Sequence, residues 1–311
     1  MKRALLVGIN DYPTAPLNGC INDAKRMQEV FERHENDDKN FDCKMLISDT
    51  KKITRGLLRS SIIKLFNHND GDTTLLYFSG HGATTDAGTY LVTQDVQSND
   101  LGVSLLEIVA LANNSKAKEV IIILDCCHSG GAGNSIDLGE RKIILREGVS
   151  ILAASTETQY SYEKNGGGVF TGIIYDALRG SAADVIGRVT LANLYYFADT
   201  LLDAWKQRPV FKSHVSHMIS LRNCESKIPN PVLRKLPEYF SEDNSSFSLS
   251  ENHLHNENLA LVTKHLRQYY ANGLLTLGTT DSFEAEASKN GVCKLTALGK
   301  YYKKIVVENR L

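Results

Sequence analysis

The run Ile121-Ile122-Ile123-Leu124-Asp125-Cys126-Cys127-His128-Ser129-Gly130-Gly131 decides how the chain reads. Four consecutive apolar, mostly β-branched residues mark a strand buried on both faces, as in the middle of a parallel sheet. Where the apolar run stops, an acid, two thiols, an imidazole and a hydroxyl crowd against two glycines, at the strand's carboxyl edge, where open α/β sheets carry their sites. A second run, Leu75-Leu76-Tyr77-Phe78-Ser79-Gly80-His81-Gly82, ends in the same way, with His81 46 residues before Cys127. Parallel neighbouring strands would bring both tips to one edge. Cys127 is the candidate nucleophile and His81 the candidate base.

Outward from these strands, strand and helix alternate. Residues 4–9 read as a first buried strand, and Ile21, Ala24, Met27 or Gln28, and Phe31 recur at helical spacing. A strand over 41–48 and an amphipathic helix over 53–66 follow, then a short extended segment at 89–92 and a helix over 104–113. Beyond the thiols come a strand at 149–154, helices over 170–178 and 191–205, and a strand at 217–221. The alternation predicts right-handed crossovers and an α/β domain over 1–222: a mostly parallel sheet with helices on both faces. Three prolines between 227 and 237 and a polar run at 241–251 suggest a linker over 223–252. A small α+β unit is expected over 253–311, where Asn272-Gly273-Leu274-Leu275 and Leu295-Thr296-Ala297-Leu298-Gly299 resemble pieces of a winged-helix module.

Composition bounds the partners. The chain has 311 residues, 42% of them hydrophobic, and a net charge of −1, which points to neither a nucleic-acid nor a membrane-surface protein. Residues 252–311 hold eight Lys and Arg against five Asp and Glu, a mild basic excess that suits a regulatory protein partner at least as well as nucleic acid. No apolar run approaches a membrane span, and the one at the N-terminus is too short for a signal peptide. Six cysteines at 20, 43, 126, 127, 224 and 293 form no disulfide framework, which favours a reducing cytoplasm. A zinc site at Cys126, Cys127 and His128 is disfavoured, because adjacent strand residues point to opposite faces.

The Ser-Gly-His-Gly block at 79–82 and the Asp-Cys-Cys-His-Ser-Gly block at 125–130 resemble the catalytic motifs of the caspase-like clan, within it those of metacaspases and related bacterial enzymes. The resemblance runs over roughly residues 1–222. It implies a cysteine endopeptidase in which the backbone N–H groups of Gly82 and Cys127 hold the oxyanion. In animal caspases an arginine that grips the substrate's aspartate stands where this chain has Leu17, and a second stands in a Ser-Trp-Arg block that here reads Ser161-Tyr162-Glu163. In metacaspases two acids line the pocket instead, and they correspond to Asp23 and Asp125. A protein substrate with Arg or Lys at the cleavage site would suit them. Glu163 is a further candidate substrate contact, with surface exposure as its alternative. Ser79 is expected either to shape the pocket or to be a buried hydroxyl bonded to backbone.

The resemblance also bears on processing and metal. Residues 139–147 match the position of the linker between large and small caspase subunits, so an enzyme selecting Arg or Lys could cut itself after Arg141, Lys142 or Arg146; a solvated loop is the plainer reading. Many metacaspases bind calcium nearby. Here Asp95 and Asp100 fall short of the 6 to 8 oxygens calcium prefers unless backbone and water complete the shell, so no cofactor is expected to be required. Two rivals stay open: a caspase-like scaffold whose site never opens, and a DNA-binding regulator acting through residues 253–311.

Overall fold

A computed structural model describes residues 1–67, 73–128, 143–154, 166–202 and 209–311, with backbone alone at Cys127 and His128. The described chain divides into two units, Met1–Ala183 with Arg188–Cys224, and Asp184–Gly187 with Glu225–Leu311. No helix among the described residues is long and apolar enough to cross a membrane.

The first unit runs β1 (Lys2–Gly8), α1 (Cys20–Glu32), β2 (Phe41–Ile47), α2 (Arg55–Phe66), β3 (Thr73–Thr85), β4 (Gly88–Gln97), β5 (Asp100–Ser104), α3 (Leu105–Asn114), β6 (Glu119–His128), β7 (Val149–Ala153), α4 (Val169–Asp176), β8 (Arg188–Thr190), α5 (Leu191–Leu201), β9 (Val210–His214) and β10 (Ser220–Asn223). Its main sheet is ordered β2-β1-β3-β6-β7-β9, with the β4–β5 hairpin extending from β3. The neighbours from β2 to β7 pair in parallel, and only the edge strand β9 and the hairpin are antiparallel. The expected mostly parallel sheet is therefore present.

Period-two alternation explains how one sheet carries helices on both faces. Leu5, Val7, Leu76, Phe78, Ile122 and Leu124 pack with Leu58, Ile62 and Phe66 of α2 and Ile108 of α3. Their neighbours Ala4, Leu6, Leu75, Tyr77, Ile121 and Ile123 pack against Met27 and Phe31 of α1, Ile174 of α4 and Leu194 of α5. The chain lays β2 to one side of β1 and β3 to the other, so strand order reverses at the β1/β3 boundary. Loops leaving the carboxyl ends of those strands diverge there and open a crevice.

Three expectations need correction. The extended segment expected at 89–92 is the first half of a longer strand, β4, paired with an unanticipated β5. The strand expected at 217–221 lies instead at Ser220–Asn223 as β10, which pairs with β8 in a separate two-stranded sheet, while β9 takes the edge of the main one. Most of the expected linker over 223–252 belongs instead to the second unit, whose main segment starts at Glu225 rather than 253. Pro231 and Pro237 stand at the starts of short helices α6 (Asn230–Leu233) and α7 (Leu236–Tyr239), where a missing N–H costs nothing. Leu233, Leu236, Phe240 and Leu249 are buried in that unit's core.

The second unit continues β11 (Ser246–Ser248), α8 (Asn252–His255), α9 (Ala260–Ala271), β12 (Leu275–Leu277), α10 (Phe283–Ser288), β13 (Val292–Leu295) and α11 (Ala297–Val307). Between α8 and α9 the helical path breaks at Asn256, whose side chain accepts the Asn258 N–H. The strands form an antiparallel sheet ordered β11-β13-β12. In the Leu-Thr-Ala-Leu-Gly block, Thr296 caps α11 by accepting the Gly299 N–H at 3.1 Å, and a side chain on Gly299 would strike the Leu274 carbonyl.

The buried Glu286 ties this unit together. Its carboxylate accepts the backbone N–H groups of Thr279, Thr280 and Val292 and both threonine hydroxyls. Gly278 and Gly291 leave it room, since a Cβ at either would lie within 3 Å of the carboxylate. These donors, the Thr280 hydroxyl foremost, hold the carboxyl down to about 2. A depressed carboxyl contributes stability that is present above its unfolded value and lost as pH falls through the folded one. Glu286→Gln should lower the unfolding temperature of the full chain by several degrees at pH 7, and the gap to wild type should close below pH 3. Calorimetry across that range checks both.

Candidate active site

The loop from β1 to α1 carries much of the local order at the sheet's carboxyl edge. Ile9 N–H reaches the Ser79 carbonyl, and the Asn10 side chain bridges the Asn18 carbonyl and the Ile21 N–H at the head of α1. Within that loop, Tyr12 and Ala15 both touch His81. The Tyr12 hydroxyl accepts the His81 backbone N–H at 2.9 Å, and its ring centroid lies 4.5 Å from the imidazole. The imidazole Nε2 sits 2.6 Å from the Ala15 carbonyl. A carbonyl can only accept, so Nε2 must carry the proton and a neutral ring keeps its lone pair on Nδ1. Ala15 aims that carbonyl from a left-handed backbone with φ +55°.

His81 pairs with Cys127 across the β3–β6 ladder, and Gly82 with His128. Paired residues on neighbouring strands stand about 4.8 Å apart at their backbones. The Cys127 side chain lies outside the described residues, as do Glu163, Arg141 and Lys142.

Asp23 and Asp125 are brought together. Asp23, in the first turn of α1, is 1% exposed; it accepts the Gly168 N–H on both oxygens and the Ser79 hydroxyl at 3.1 Å. Ser79 is therefore bonded to the acidic pair rather than to backbone. Asp125, 7% exposed, accepts the Thr171 N–H and hydroxyl, and the Thr171 oxygen also bonds the buried Tyr77 hydroxyl. Both acids thus cap the N-terminus of α4, where the helix dipole favours negative charge. A Cβ on Gly168 would fall 2.5 Å from an Asp125 oxygen and 3.2 Å from an Asp23 oxygen. Glycine is what lets the chain reach both.

Burial first, then the charge of Asp125, pushes the Asp23 carboxyl up to about 7 against the pull of Gly168 and Ser79. Burial likewise raises Asp125, with Thr171 opposing. Near neutral pH the pair therefore carries less than two full negative charges.

The sequence reading missed Tyr12, Ala15 and Thr171. Only Gly166-Gly167-Gly168 offered a signal, three glycines before a helix where backbone must approach something closely. Arg146 lies elsewhere: its guanidinium donates to the Ser115, Ala117 and Glu147 carbonyls, and its N–H to Asn113 at the end of α3. Among the described residues no three His, Cys, Asp or Glu side chains converge as metal ligands. Asp95 accepts the Arg55 N–H at the start of α2, and Asp100 pairs with the Arg55 guanidinium.

The profile described as the caspase domain, a peptidase family, matches residues 1–219, and the chain belongs to that family. It is 34% identical over 148 residues to Metacaspase-6 of Arabidopsis thaliana, covering 42% of this chain and 38% of the plant protein. It is 30% identical over 148 residues to Metacaspase-5 of Trypanosoma brucei brucei, covering 41% of this chain and 28% of that one. The matches span well under two thirds of these relatives. The solved structure of protein GSU0716 from Geobacter sulfurreducens shares the fold, with TM-score 0.53 and 19% identity over 72% of this chain and 99% of that one.

A carboxyl raised by burial is a stability liability that is absent below the unfolded value, grows as pH rises from there toward the folded value, and is fully present above it. Asp23→Asn removes the charge and keeps an acceptor for Gly168. The variant should melt at a higher temperature than wild type at pH 8, and the gain should shrink toward zero near pH 4. Paired melting curves at the two pH values check the sign.

Proposed function

We propose that the chain is a cysteine endopeptidase cleaving proteins after Arg or Lys by a Cys127–His81 dyad. The observation that carries this reading is convergence: the His81–Cys127 strand pair and two buried carboxylates meet at one sheet edge. The Cys127 sulfur attacks the scissile carbonyl as its proton passes to His81 Nδ1. The C–N bond then breaks while the imidazolium returns that proton to the leaving amine, and water hydrolyses the thioester. Backbone N–H groups of Gly82 and Cys127 hold the oxyanion, worth about 3 kcal/mol for a donor of this kind.

Asp23 and Asp125, steadied by Ser79, select the cationic side chain by charge-assisted hydrogen bonds. Because Gly168 now occupies Asp23, residues 166–168 must shift for a guanidinium to enter. Glu163 remains a candidate contact beside them. Among the autoprocessing candidates, Arg141 and Lys142 are favoured over Arg146, whose guanidinium is already held by backbone. We assign the enzyme to the reducing cytoplasm, and the second unit to a regulatory protein partner rather than to nucleic acid.

Peptides bearing Arg or Lys before a fluorophore should be cleaved by wild type and not by Cys127→Ala, with no turnover of an Asp peptide. Intact mass of the same samples should show a cut after Arg141 or Lys142 in wild type alone. Equal signal from both proteins would remove the reading. The pair also sets a pH dependence: as pH falls from 8 to 6, Asp23 takes up a proton that an arginine must displace. Affinity of Cys127→Ala for an Arg peptide should therefore fall roughly tenfold over that range, measured by fluorescence anisotropy.

A further inference from the structure

Outside the groups already given a role, Tyr12 stands out as a side chain committed to His81 from two directions. It is 6% exposed, and its hydroxyl accepts the His81 N–H at 2.9 Å while donating to the Val92 carbonyl at 3.2 Å. Its ring lies against the imidazole at 4.5 Å, tilted by 50°. The hydroxyl therefore joins three segments: the loop after β1, the histidine on β3, and Val92 on β4. Gly80 admits it, since a Cβ there would lie 2.5 Å from the hydroxyl oxygen. Burial raises the phenol well above its ordinary value, so it stays a neutral donor and acceptor throughout the working range.

We infer that Tyr12 is a positioning residue that fixes the backbone and the ring plane of His81, so that Nε2 stays on the Ala15 carbonyl and Nδ1 keeps the lone pair a base needs. In β3 the His81 N–H lies beyond the end of β1, whose last residue, Gly8, pairs with Ser79. The sheet supplies no acceptor from β1 at that point, and the Tyr12 hydroxyl stands in for one. The ring blocks one face of the imidazole and resists its rotation. Ala15, three residues along the same loop, then finds Nε2 where a carbonyl can take it. One loop thus sets both the position and the tautomer of the base.

This inference rests on the peptidase reading, so its test has an arm that needs no substrate. With sites counted by an arginyl chloromethyl ketone, Tyr12→Phe, which keeps the ring, should lower kcat per site roughly tenfold. Tyr12→Leu should lower it roughly a hundredfold, and KM for an Arg peptide should stay within about twofold in both. Nitrogen-15 spectra of the imidazole at pH 8.5 should show His81 as a single Nε2–H tautomer in wild type and Tyr12→Phe. In Tyr12→Leu the two ring nitrogens should move toward averaged shifts. A merely structural tyrosine would reduce the number of titratable sites while leaving kcat per site unchanged and the Tyr12→Leu imidazole spectrum like wild type; either result overturns the inference. Should wild type cleave no peptide, the peptidase reading falls, and the spectra still decide whether Tyr12 holds the imidazole.

Discussion

The register between β3 and β6 is the constraint on which the site depends. Ten consecutive residue pairs, from Thr73 opposite Glu119 to Gly82 opposite His128, place Ser79 beside Asp125 and His81 beside Cys127. Side chains alternate faces along a strand, so a slip of one residue would turn Tyr77 and Leu75 out of the layer they share with α1 and put Phe78 and Leu76 in their place. The Tyr77 hydroxyl would then lose Thr171, and both close-packed layers would have to refit side chains of another shape. Polar residues at the carboxyl tips therefore inherit their alignment from the buried aliphatic rungs beneath them, without needing any attraction to one another.

Legibility in the sequence follows from the same physics. Strands buried on both faces announce themselves as apolar runs, unbroken in β1, β3 and β6 and interrupted only by Ser150 in β7, which is why these four could be read. The edge strand β9 could not: its residues are half-exposed, and Val210-Phe211-Lys212-Ser213-His214 shows too little alternation. The β4–β5 hairpin was hidden because its pairing partner, five residues long, includes a glycine and an exposed aspartate. In the span read as a linker, prolines that start short helices looked like prolines that prevent them. The buried Leu233, Leu236 and Phe240 were too sparse to signal a core by period alone.

At the site, residue types carrying chemistry were legible, and the groups holding them were not. Asp23, Asp125, Ser79 and His81 could be singled out from motif and resemblance. Tyr12, Ala15 and Thr171 act through a hydroxyl or backbone group that any tyrosine, alanine or threonine possesses. Their role exists only once β1, β3 and α4 are side by side, as the Ala15 carbonyl on Nε2 illustrates.

The two buried carboxylate sites show why burial alone does not mark function. Glu286 and Asp23 are both shielded from water, and both sit against glycines whose side chains would collide with them. Yet one carboxyl is held down to about 2 and the other pushed up to about 7. Glu286 has five donors, and the causes of its shift include no neighbouring acid. Asp23 is raised first by burial and then by the Asp125 it faces, and only the Gly168 N–H, the Ser79 hydroxyl and, least of the three, the Arg26 charge oppose that. Donors in excess make a charge structural, because nothing further is gained by bringing in a cation. A deficit of donors around two like charges leaves a site whose electrostatics improve when a guanidinium or ammonium arrives. By that criterion Glu286 is built to hold a loop, and the pair at the sheet edge suits the cationic side chain proposed for it.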